Sequence, residues 1–356
     1  MRILLAGGGT GGHVFPALAV ARELSGRGCS VSWVGRQEGM ERGLVEDSGI
    51  HYHALDAKPW LGCGHAERVS ALMTLGLSAL KARRLIRTSR VAVTVGTGGF
   101  VSAPAIVGSY LARCPVLLME PNASAGTANR WLSRLSTAAC TGYESTGSEL
   151  KCRSYWTGTP VRPEFFSAGA LATDDPTLLV VGGSQGARQI NQLIPAVLER
   201  LSQKITGLKV IHQVGVQHLA SVEADYGRRG LEKIGLEVVP FIADMAAAMS
   251  KATVIISRAG ALTLAEIAAA GRPSILIPLT GAAGHQRANA ERLSEAGAAE
   301  LLTPESATIE EMEKVLGGLL GDRAVRERMA AASRQLARDD AAERIADLIG
   351  VLGRAT

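Results

Sequence analysis

The chain has 356 residues, 47% of them hydrophobic and 20% charged, with 41 glycines and a formal net charge of +5. This length predicts about two domains with a buried core each, and the composition is typical of a soluble α/β enzyme. The five cysteines include no Cys-x-x-Cys pair, which argues against a zinc site or a disulfide framework, and the positive charge favours an acidic partner such as a nucleotide, a nucleic acid or an anionic membrane.

The first predicted element is a short apolar run, residues 3–6, which ends in the glycine-rich stretch 7–12. It is too short for a stable helix, so it predicts a buried strand, and residues 14–25 predict the helix that follows. Glycines let backbone N–H groups approach a ligand, and the helix dipole favours an anion there. The stretch therefore predicts a phosphate or diphosphate site. A loop that merely turns the chain is the alternative.

The rest of the first half alternates apolar runs with amphipathic stretches, a pattern typical of parallel sheets covered by helices. A second glycine loop, residues 96–99, follows a predicted strand and precedes a predicted helix. Loops at the carboxyl ends of parallel strands gather at one sheet edge, where ligands bind. Predicted strands lie at 30–34, 51–55, 91–95 and 116–119, and a helix at 71–87.

Residues 91–112 carry no charge and are long enough to span a membrane, but Gly96, Gly98, Gly99 and Pro104 interrupt them. We expect a strand, a loop and a helix there rather than a span. We also expect no secretory signal, because Met1 and Arg2 are followed by only four apolar residues before the first glycine.

The pattern begins again after residues 174–176, with a predicted strand at 177–181, a glycine loop at 182–186 and a helix at 187–201. This repetition predicts two Rossmann-like halves, joined through residues 158–169 and facing each other across a cleft. Further strands are predicted at 210–214, 238–242, 254–257, 274–278 and 299–302.

Two other classes of protein fit less well. Gly7, Gly9 and Gly12 match the dinucleotide fingerprint, but Arg36 follows the second strand where an NAD site needs an acidic residue. NADP would tolerate an arginine, yet the second glycine loop stays unexplained. A nucleic-acid-binding protein is disfavoured because the basic residues form one short cluster and few aromatic residues are available for base stacking.

Three motifs together identify a family. Residues 8–16 (GGTGGHVFP), 182–188 (GGSQGAR) and 258–267 (RAGALTLAEI) resemble the MurG family of peptidoglycan N-acetylglucosaminyltransferases, glycosyltransferase family 28, in order and spacing over essentially the whole chain. The resemblance implies an α/β, two-domain GT-B fold. It also implies transfer of GlcNAc from UDP-GlcNAc to the C4 hydroxyl of the MurNAc unit of undecaprenyl-diphosphate-linked lipid I, with inversion and release of UDP. Other GT-B glycosyltransferases and UDP-GlcNAc 2-epimerases share the architecture but not this combination of motifs.

The implied domains are residues 1–163 for the acceptor and the membrane, residues 164–340 for UDP-GlcNAc, and a C-terminal helix within 341–356 that packs back on the first domain. In the second domain, Ser184 and Gln185 are expected near the diphosphate and sugar, and the backbone of Ile242 at the uracil. The N–H groups of a helix that opens after Gly260 would take the diphosphate, from residues Ala261, Leu262, Thr263, Leu264, Ala265 and Glu266.

The same resemblance implies that Glu266 holds the ribose hydroxyls, Gln286 the GlcNAc hydroxyls, and that Arg162 adds positive charge near the phosphates. Without it, Glu266 would be a first-turn residue complementing the helix dipole, and Arg162 a solvated linker charge.

On the acceptor side, Thr10, Gly11 and Gly12 are expected to hold the diphosphate. Asn122 is expected to contact a sugar. His13 is the first candidate for the base that accepts the C4 hydroxyl proton, although it would also suit a helix cap or a phosphate contact. Glu120 is the second candidate, with a structural ion pair as its alternative. No cofactor or metal is expected, since helix termini and arginine can stabilise the leaving UDP.

Three positions depart from the family pattern. Pro121 replaces a glutamine and removes a backbone donor from the loop that carries Asn122. Phe100 stands where a tyrosine is expected, and an acidic residue is missing before His285 and Gln286.

A lipid-linked acceptor requires contact with the membrane. Apolar residues precede a basic cluster in the segment 60–90, which fits peripheral binding to an anionic surface. A helix with a buried apolar face and a solvated basic face is the alternative. The expected location is the cytoplasmic face of the cell membrane, where other cell-wall synthesis proteins are further candidate partners; no nucleic acid is expected. The apolar residues of the segment 60–90 are Trp60, Leu61, Leu72, Met73, Leu75, Leu77 and Leu80, and its basic cluster is Lys81, Arg83, Arg84, Arg87 and Arg90.

Overall fold

The computed structural model describes residues 1–59, 64–169, 176–183, 185–231, 234–279 and 284–354. The chain divides into two compact units, one formed by Met1–Val161 with Arg338–Thr356 and the other by Arg162–Ala337. It passes from the first unit to the second between Val161 and Arg162 and returns between Ala337 and Arg338. The division made from the sequence ended the first domain at residue 163 and the second at residue 340.

The first unit is built on one parallel sheet. Its strands are β1 (Arg2–Ala6), β2 (Ser30–Gly35), β3 (His51–Ala54), β4 (Val93–Gly96), β5 (Val116–Glu120), β6 (Ala138–Thr141) and β7 (Arg153–Trp156). Its helices are α1 (Gly11–Gly26), α2 (Glu41–Asp47), α3 (His65–Thr88), α4 (Gly99–Ala112), α5 (Thr127–Leu132) and, from the end of the chain, Ala341–Arg354. The strand order is β3-β2-β1-β4-β5-β6-β7.

Strand register places the glycine loops together. Ala6, the last residue of β1, pairs with Val34 of β2 and Gly96 of β4. The loops after these three strands therefore leave the sheet side by side at its carboxyl edge, as expected for parallel strands.

Both faces of this sheet are covered by apolar packing. Ile3 and Leu5 pack with Val14 and other residues of α1, while Leu4 and Ala6 pack towards the layer formed by α3 and α4. Successive strand residues point to opposite faces, which is why the whole run is apolar. The C-terminal helix joins the α1 side through Ile345 and Ile349.

The second unit repeats this plan. Its strands are β8 (Thr177–Val181), β9 (Lys209–Gln213), β10 (Gly235–Val239), β11 (Val254–Ser257), β12 (Ser274–Leu276) and β13 (Ala299–Leu301), in the order β10-β9-β8-β11-β12-β13. Its helices are α6 (Arg188–Leu201), α7 (Leu219–Arg228), α8 (Met245–Lys251), α9 (Ala261–Ala270), α10 (His285–Glu295), α11 (Ile309–Gly321) and α12 (Arg323–Leu336), which makes Ala341–Arg354 α13.

Several boundaries differ from the sequence-based prediction. The strand predicted at 238–242 is wrong in position: β10 begins at Gly235 and ends at Val239, because its pairing with β9 covers those residues and leaves Phe241 61% exposed in the following loop. Strands β6 and β7 were not predicted, and α3 begins earlier than predicted. The segment 91–112 forms β4 and α4, and no helix in the described ranges is long and apolar enough to cross a membrane.

Candidate functional site

The glycine-rich loop after β1 is held from beneath by the neighbouring strands. Gly7 donates its N–H to the carbonyl of Val34 at 3.2 Å, and its own carbonyl accepts from the indole of the buried Trp33 at 3.0 Å. Gly9 has a φ of +86°, a conformation that glycine adopts without strain. The start of the loop is therefore hydrogen-bonded to the sheet edge.

A buried carboxylate that the sequence reasoning missed completes this support. Glu41, with no exposed surface, accepts the N–H of Gly9 at 3.1 Å and the N–H of Arg36 at 2.9 Å. The hydroxyl of Tyr52 lies 3.4 Å from the same carboxylate. A lone glutamate at the start of a short helix carries no sequence signal for this role.

The start of α1 is the part of the loop that remains available to an anion. Thr10 is the N-cap residue, is exposed, and its side chain makes no cap hydrogen bond. Gly11 and Gly12 form the first turn and are partly exposed. Since the first N–H groups of a helix have no partner within the helix, the turn of Thr10, Gly11 and Gly12 has N–H donors left over, the feature that binds anions at helix N-termini.

His13 lies in the same turn, and the residue as a whole is partly exposed. Its Nδ1 lies 3.3 Å from the carbonyl oxygen of Gly8 and 3.4 Å from the Thr10 hydroxyl. A carbonyl oxygen can only accept, so this contact favours the tautomer with the proton on Nδ1 and an unprotonated Nε2. Burial lowers the pKa of His13 below its ordinary value, while the charge of Glu120 and the Gly8 contact oppose this.

Glu120 ends β5 and is almost fully buried, with both carboxylate oxygens occupied. One oxygen accepts from the backbone and side-chain N–H groups of Asn122, at 3.0 and 2.8 Å. The other accepts from Gly126 at 2.8 Å and Asn129 at 2.9 Å. The loop is therefore hydrogen-bonded to Glu120 even with Pro121 in place, because the backbone N–H of the next residue is the donor. Asn129, buried on α5, was not foreseen.

His13 and Glu120 line one small cavity, together with Thr97 and Pro121. Its volume of ≈ 10 Å³ has room for about one water molecule. The hydroxyl of Thr97 is buried and has no hydrogen-bond partner in the described part of the chain. Close by in sequence, Phe100 packs under the guanidinium of Arg36, 5.9 Å from the ring centre.

In the second unit, α9 begins without a side-chain cap. Gly260 is its N-cap residue, and Ala261, Leu262 and Thr263 form a partly exposed first turn. Leu264 is buried and Ala265 is partly exposed one turn in. This turn, like the start of α1, is a helix N-terminus without a side-chain cap.

Glu266 follows that turn and is 9% exposed. No hydrogen bond to its carboxylate is formed among the residues that the structure describes. Burial raises the pKa of Glu266 to about 7, and the positive charge of Arg162 acts in the opposite direction. Arg162 immediately precedes the 3₁₀ helix Pro163–Ser167, which packs on α9. The structure thus brings these two predicted residues into electrostatic contact.

Gln286 lies in the first turn of α10, a helix that packs on α9. Its side-chain oxygen accepts the N–H of Ala259 at 3.3 Å and of Leu279 at 3.0 Å, and its NH₂ group makes no hydrogen bond to the described residues. Arg258, whose side chain was not predicted as a site residue, donates to the carbonyls of Ile277 and Pro278 at 3.0 and 3.1 Å. These bonds fix the loop after β12 beside α9.

The remaining predicted residues lie on other loops of this unit. Ile242 is partly exposed between β10 and α8, and Gln185 is exposed after β8. No hydrogen bond in the described ranges joins either to Glu266 or Gln286. Ser184 and residues 281–283 lie outside the described residues, as do Trp60 and Leu61 of the segment 60–90.

Comparison with known proteins gives the family. The model of the glycosyltransferase family 28 N-terminal domain matches residues 3–141, and that of the C-terminal domain matches residues 177–345. The chain is 41% identical over 351 residues, 97% of both chains, to the protein of Stutzerimonas stutzeri (strain A1501) named UDP-N-acetylglucosamine--N-acetylmuramyl-(pentapeptide) pyrophosphoryl-undecaprenol N-acetylglucosamine transferase. A protein of Solibacter usitatus (strain Ellin6076) with the same name is 39% identical over 354 residues, covering 99% of this chain and 96% of its own.

Solved structures agree with this. The crystal structure of Acinetobacter baumannii MurG matches with a TM-score of 0.79 and 33% identity, over 98% of this chain and 99% of that one. The calicheamicin glycosyltransferase CalG4 matches in fold alone, with a TM-score of 0.70 and 17% identity over 99% of this chain and 98% of its own. The protein therefore has the two-domain GT-B fold and belongs to glycosyltransferase family 28, among its MurG-type N-acetylglucosamine transferases.

Proposed function

We propose that the protein transfers GlcNAc from UDP-GlcNAc to the C4 hydroxyl of lipid I, undecaprenyl-diphospho-MurNAc-pentapeptide, with inversion, to give lipid II and UDP. The observation that carries this proposal is the 41% identity, over 97% of both chains, to a protein named for this transfer. The two anion-binding helix starts support it, because both substrates carry a diphosphate.

The donor is bound by the second unit. The uncapped first turn of α9, residues 261–263, offers N–H groups to the UDP diphosphate, and Arg162 adds positive charge nearby. Glu266 is a buried carboxylate without hydrogen bonds in the described structure, so two ribose hydroxyls would supply the donors that it lacks. Ile242 contacts uracil through its backbone, and Ser184 and Gln185 approach the diphosphate and sugar.

Gln286 is limited to one kind of contact with the sugar. Its oxygen is already used by Ala259 and Leu279, so its NH₂ group donates to a GlcNAc hydroxyl. The two backbone donors fix the orientation of the amide, so its NH₂ group donates to the sugar in a defined direction.

The acceptor is bound by the first unit, with its diphosphate at Thr10, Gly11 and Gly12 and a sugar contact from Asn122. His13 is the base. Its lowered pKa keeps the imidazole neutral at pH 7, and the Gly8 contact leaves Nε2 as the atom that accepts the C4 hydroxyl proton. The charge of Glu120 stabilises the imidazolium formed. Glu120 is thus a positioning and electrostatic residue, because four N–H groups already occupy its oxygens.

The protein reaches its lipid-linked substrate by binding the cytoplasmic face of the membrane peripherally. Five apolar side chains of α3 are each more than half exposed: Val69, Leu72, Met73, Leu77 and Leu80. Their spacing places them along one side of the helix, and the exposed Arg84 and Arg87 continue that side towards the C-terminus. Leu75 is only partly exposed, and Arg83 is held by the carbonyl of Leu111 at 3.2 Å.

This arrangement matches a surface in which apolar anchors enter the interface and basic residues meet anionic headgroups. Binding there would also bring the enzyme to other cell-wall synthesis proteins.

Acceptor-dependent UDP release tests the proposal. Purified protein is given UDP-GlcNAc with and without a soluble lipid I analogue. We expect UDP to be released only with the analogue, and the release to be lost in Glu266→Ala. UDP release or epimer formation without acceptor would instead indicate a hydrolase or a 2-epimerase, and no turnover despite UDP-GlcNAc binding would contradict the acceptor assignment.

A further inference from the structure

Glu41 is a fully buried carboxylate that the reaction above does not use. Burying a charged carboxylate is costly unless hydrogen bonds replace its hydration. Here the replacements come from two different loops, since Gly9 follows β1 and Arg36 follows β2. Tyr52 of β3 donates its hydroxyl to the Arg36 carbonyl at 2.7 Å and so closes the same cluster.

The Glu41 carboxylate leaves no room for a side chain at two neighbouring glycines. A Cβ atom added to Gly8 or Gly39 would lie closer than 3.0 Å to the Glu41 carboxylate. Gly8 has no left-handed φ, so its backbone conformation does not explain the absence of a side chain. The carboxylate therefore packs directly against the backbone of the glycine-rich loop.

This contact changes which N–H groups the loop can offer to a phosphate. The N–H of Gly9 is already bonded to Glu41, and a negative charge lies beneath Gly8 and Gly9. A phosphate bound at Gly8 and Gly9 would be repelled by this charge. It would also find one N–H donor fewer. The N–H groups of Gly11 and Gly12, at the start of α1, are not among the described donors to Glu41, and the helix dipole favours an anion there.

We propose that Glu41 is a positioning residue for the acceptor: it holds Gly9 in place and keeps the acceptor diphosphate at Thr10, Gly11 and Gly12, within reach of His13. This inference rests on the proposed function, because it takes the lipid-linked diphosphate as the ligand of the loop. The residue touches no reacting atom and acts through the loop that it supports.

Steady-state kinetics of Glu41→Gln test it, with Glu46→Gln as the matched control. Glu46 lies on the same helix but is exposed and paired with Arg42. The glutamine has nearly the same shape, but its NH₂ group cannot accept one of the two N–H groups. We expect the KM for the lipid I analogue to rise about tenfold, the loss of one charge-assisted hydrogen bond, with the KM for UDP-GlcNAc unchanged.

A merely structural role would lower the melting temperature and the active fraction while leaving both KM values unchanged, and that result would overturn the proposal. A second variant, Gly8→Ala, pushes on the carboxylate without removing it. It should raise the acceptor KM in the wild-type background and have no further effect in Glu41→Ala, where the space is open. Equal effects in both backgrounds would also overturn it.

Amide hydrogen exchange separates this inference from the proposed function. Exchange of segment 7–12 should be faster in Glu41→Gln than in the wild type and unchanged in Glu46→Gln. If the wild type shows no acceptor-dependent UDP release but exchange responds in this way, the proposed function fails while the role of Glu41 in the loop holds. Unchanged exchange in Glu41→Gln overturns the inference whatever the activity.

Discussion

Asn122 donates two hydrogen bonds to the same oxygen of Glu120, from its backbone N–H at 3.0 Å and from its side-chain amide at 2.8 Å. The second oxygen of Glu120 is bonded to Gly126 and Asn129. The carboxylate thus organises the loop after β5, and its charge acts on the neighbouring His13. These two roles can be separated experimentally.

Glu120→Gln should shift the pH dependence of the reaction without abolishing it. The NH₂ group of glutamine would face two N–H donors, so kcat/KM for the acceptor should fall roughly 10- to 100-fold. Because the charge of Glu120 raises the pKa of His13, its removal should move the acidic limb of the profile to lower pH. Glu149→Gln is the control, since Glu149 holds Ala125 on the same loop at 3.1 Å. Loss of the limb in Glu120→Gln would make Glu120 the base.

His13→Gln should remove that acidic limb altogether. The pKa of His13 lies below its ordinary value of 6.5, so the imidazole is neutral above that range and activity falls only as the pH drops below it. Without the base, kcat should fall about 10²- to 10⁴-fold while the KM for UDP-GlcNAc stays constant. His51→Gln, on the exposed edge strand, should leave the profile unchanged. Retention of the limb in His13→Gln would exclude His13 as the base.

The fold was largely predictable because its main signals are local. A short apolar run bounded by glycine defines β1 and β8 whatever the rest of the chain does. Strands β6 and β7 escaped prediction because each is only four residues long and shows no sustained apolar run, and pairing with β5 and with each other makes them strands. The end of β10 is likewise set by its register with β9, not by the apolar run 238–242.

Candidate site residues could be named from the sequence where a motif or a strand end marks them, as for His13 and Glu120. Glu41 could not be found, because its partner Gly9 lies 32 residues away and no spacing rule connects them. Asn129 was missed for the same reason, since its contact with Glu120 depends on how α5 packs. Glu266 came from family resemblance alone. The burial that gives it its altered pKa is a tertiary effect.

Glu266→Gln should stabilise the ligand-free protein at high pH while weakening donor binding. The pKa of Glu266 is raised from 4.5 to about 7 by burial, so its ionisation costs stability progressively as pH rises from 4.5 through 7. Glutamine removes that cost, worth up to about 3 kcal/mol at 1.36 kcal/mol per unit. The measurement is melting temperature at pH 5 and pH 8, with and without UDP.

In that experiment the variant should gain stability over the wild type mainly at pH 8, and UDP should stabilise it less because the ribose loses its acceptor. Glu295→Gln on α10, whose carboxylate is exposed, is the control. A variant that gains nothing at pH 8 relative to pH 5 would contradict the burial of a charged carboxylate at this position.

His212 should make the second unit sensitive to acid. It is fully buried in β9 with Nδ1 2.8 Å from the Tyr226 hydroxyl, and burial lowers its pKa to about 3. In the unfolded chain this histidine binds a proton near pH 6.5. The free energy of unfolding is therefore highest above that pH and falls as the pH decreases towards 3, by about 2 kcal/mol at pH 5. His212→Gln should reduce the loss of unfolding free energy between pH 7 and pH 5, measured by denaturant titration. An unchanged loss, equal to that of the control His218→Gln, would refute this.

Charge reversal on α3 should release the protein from anionic vesicles. Replacing Lys81, Arg83, Arg84 and Arg87 by glutamate removes four basic groups, each worth about 1 kcal/mol near an anionic surface, so the binding constant should fall by roughly three orders of magnitude at low salt. Co-sedimentation with vesicles containing anionic lipid measures this binding constant, with neutral vesicles as the reference.

The control reverses four exposed basic residues of the second unit, Lys204, Arg287, Lys314 and Arg323. Because both variants change the net charge equally, a loss confined to the α3 variant assigns binding to this surface, and equal losses would show that only net charge matters. Turnover of a soluble acceptor analogue should survive in both, since the substituted residues lie outside the proposed site.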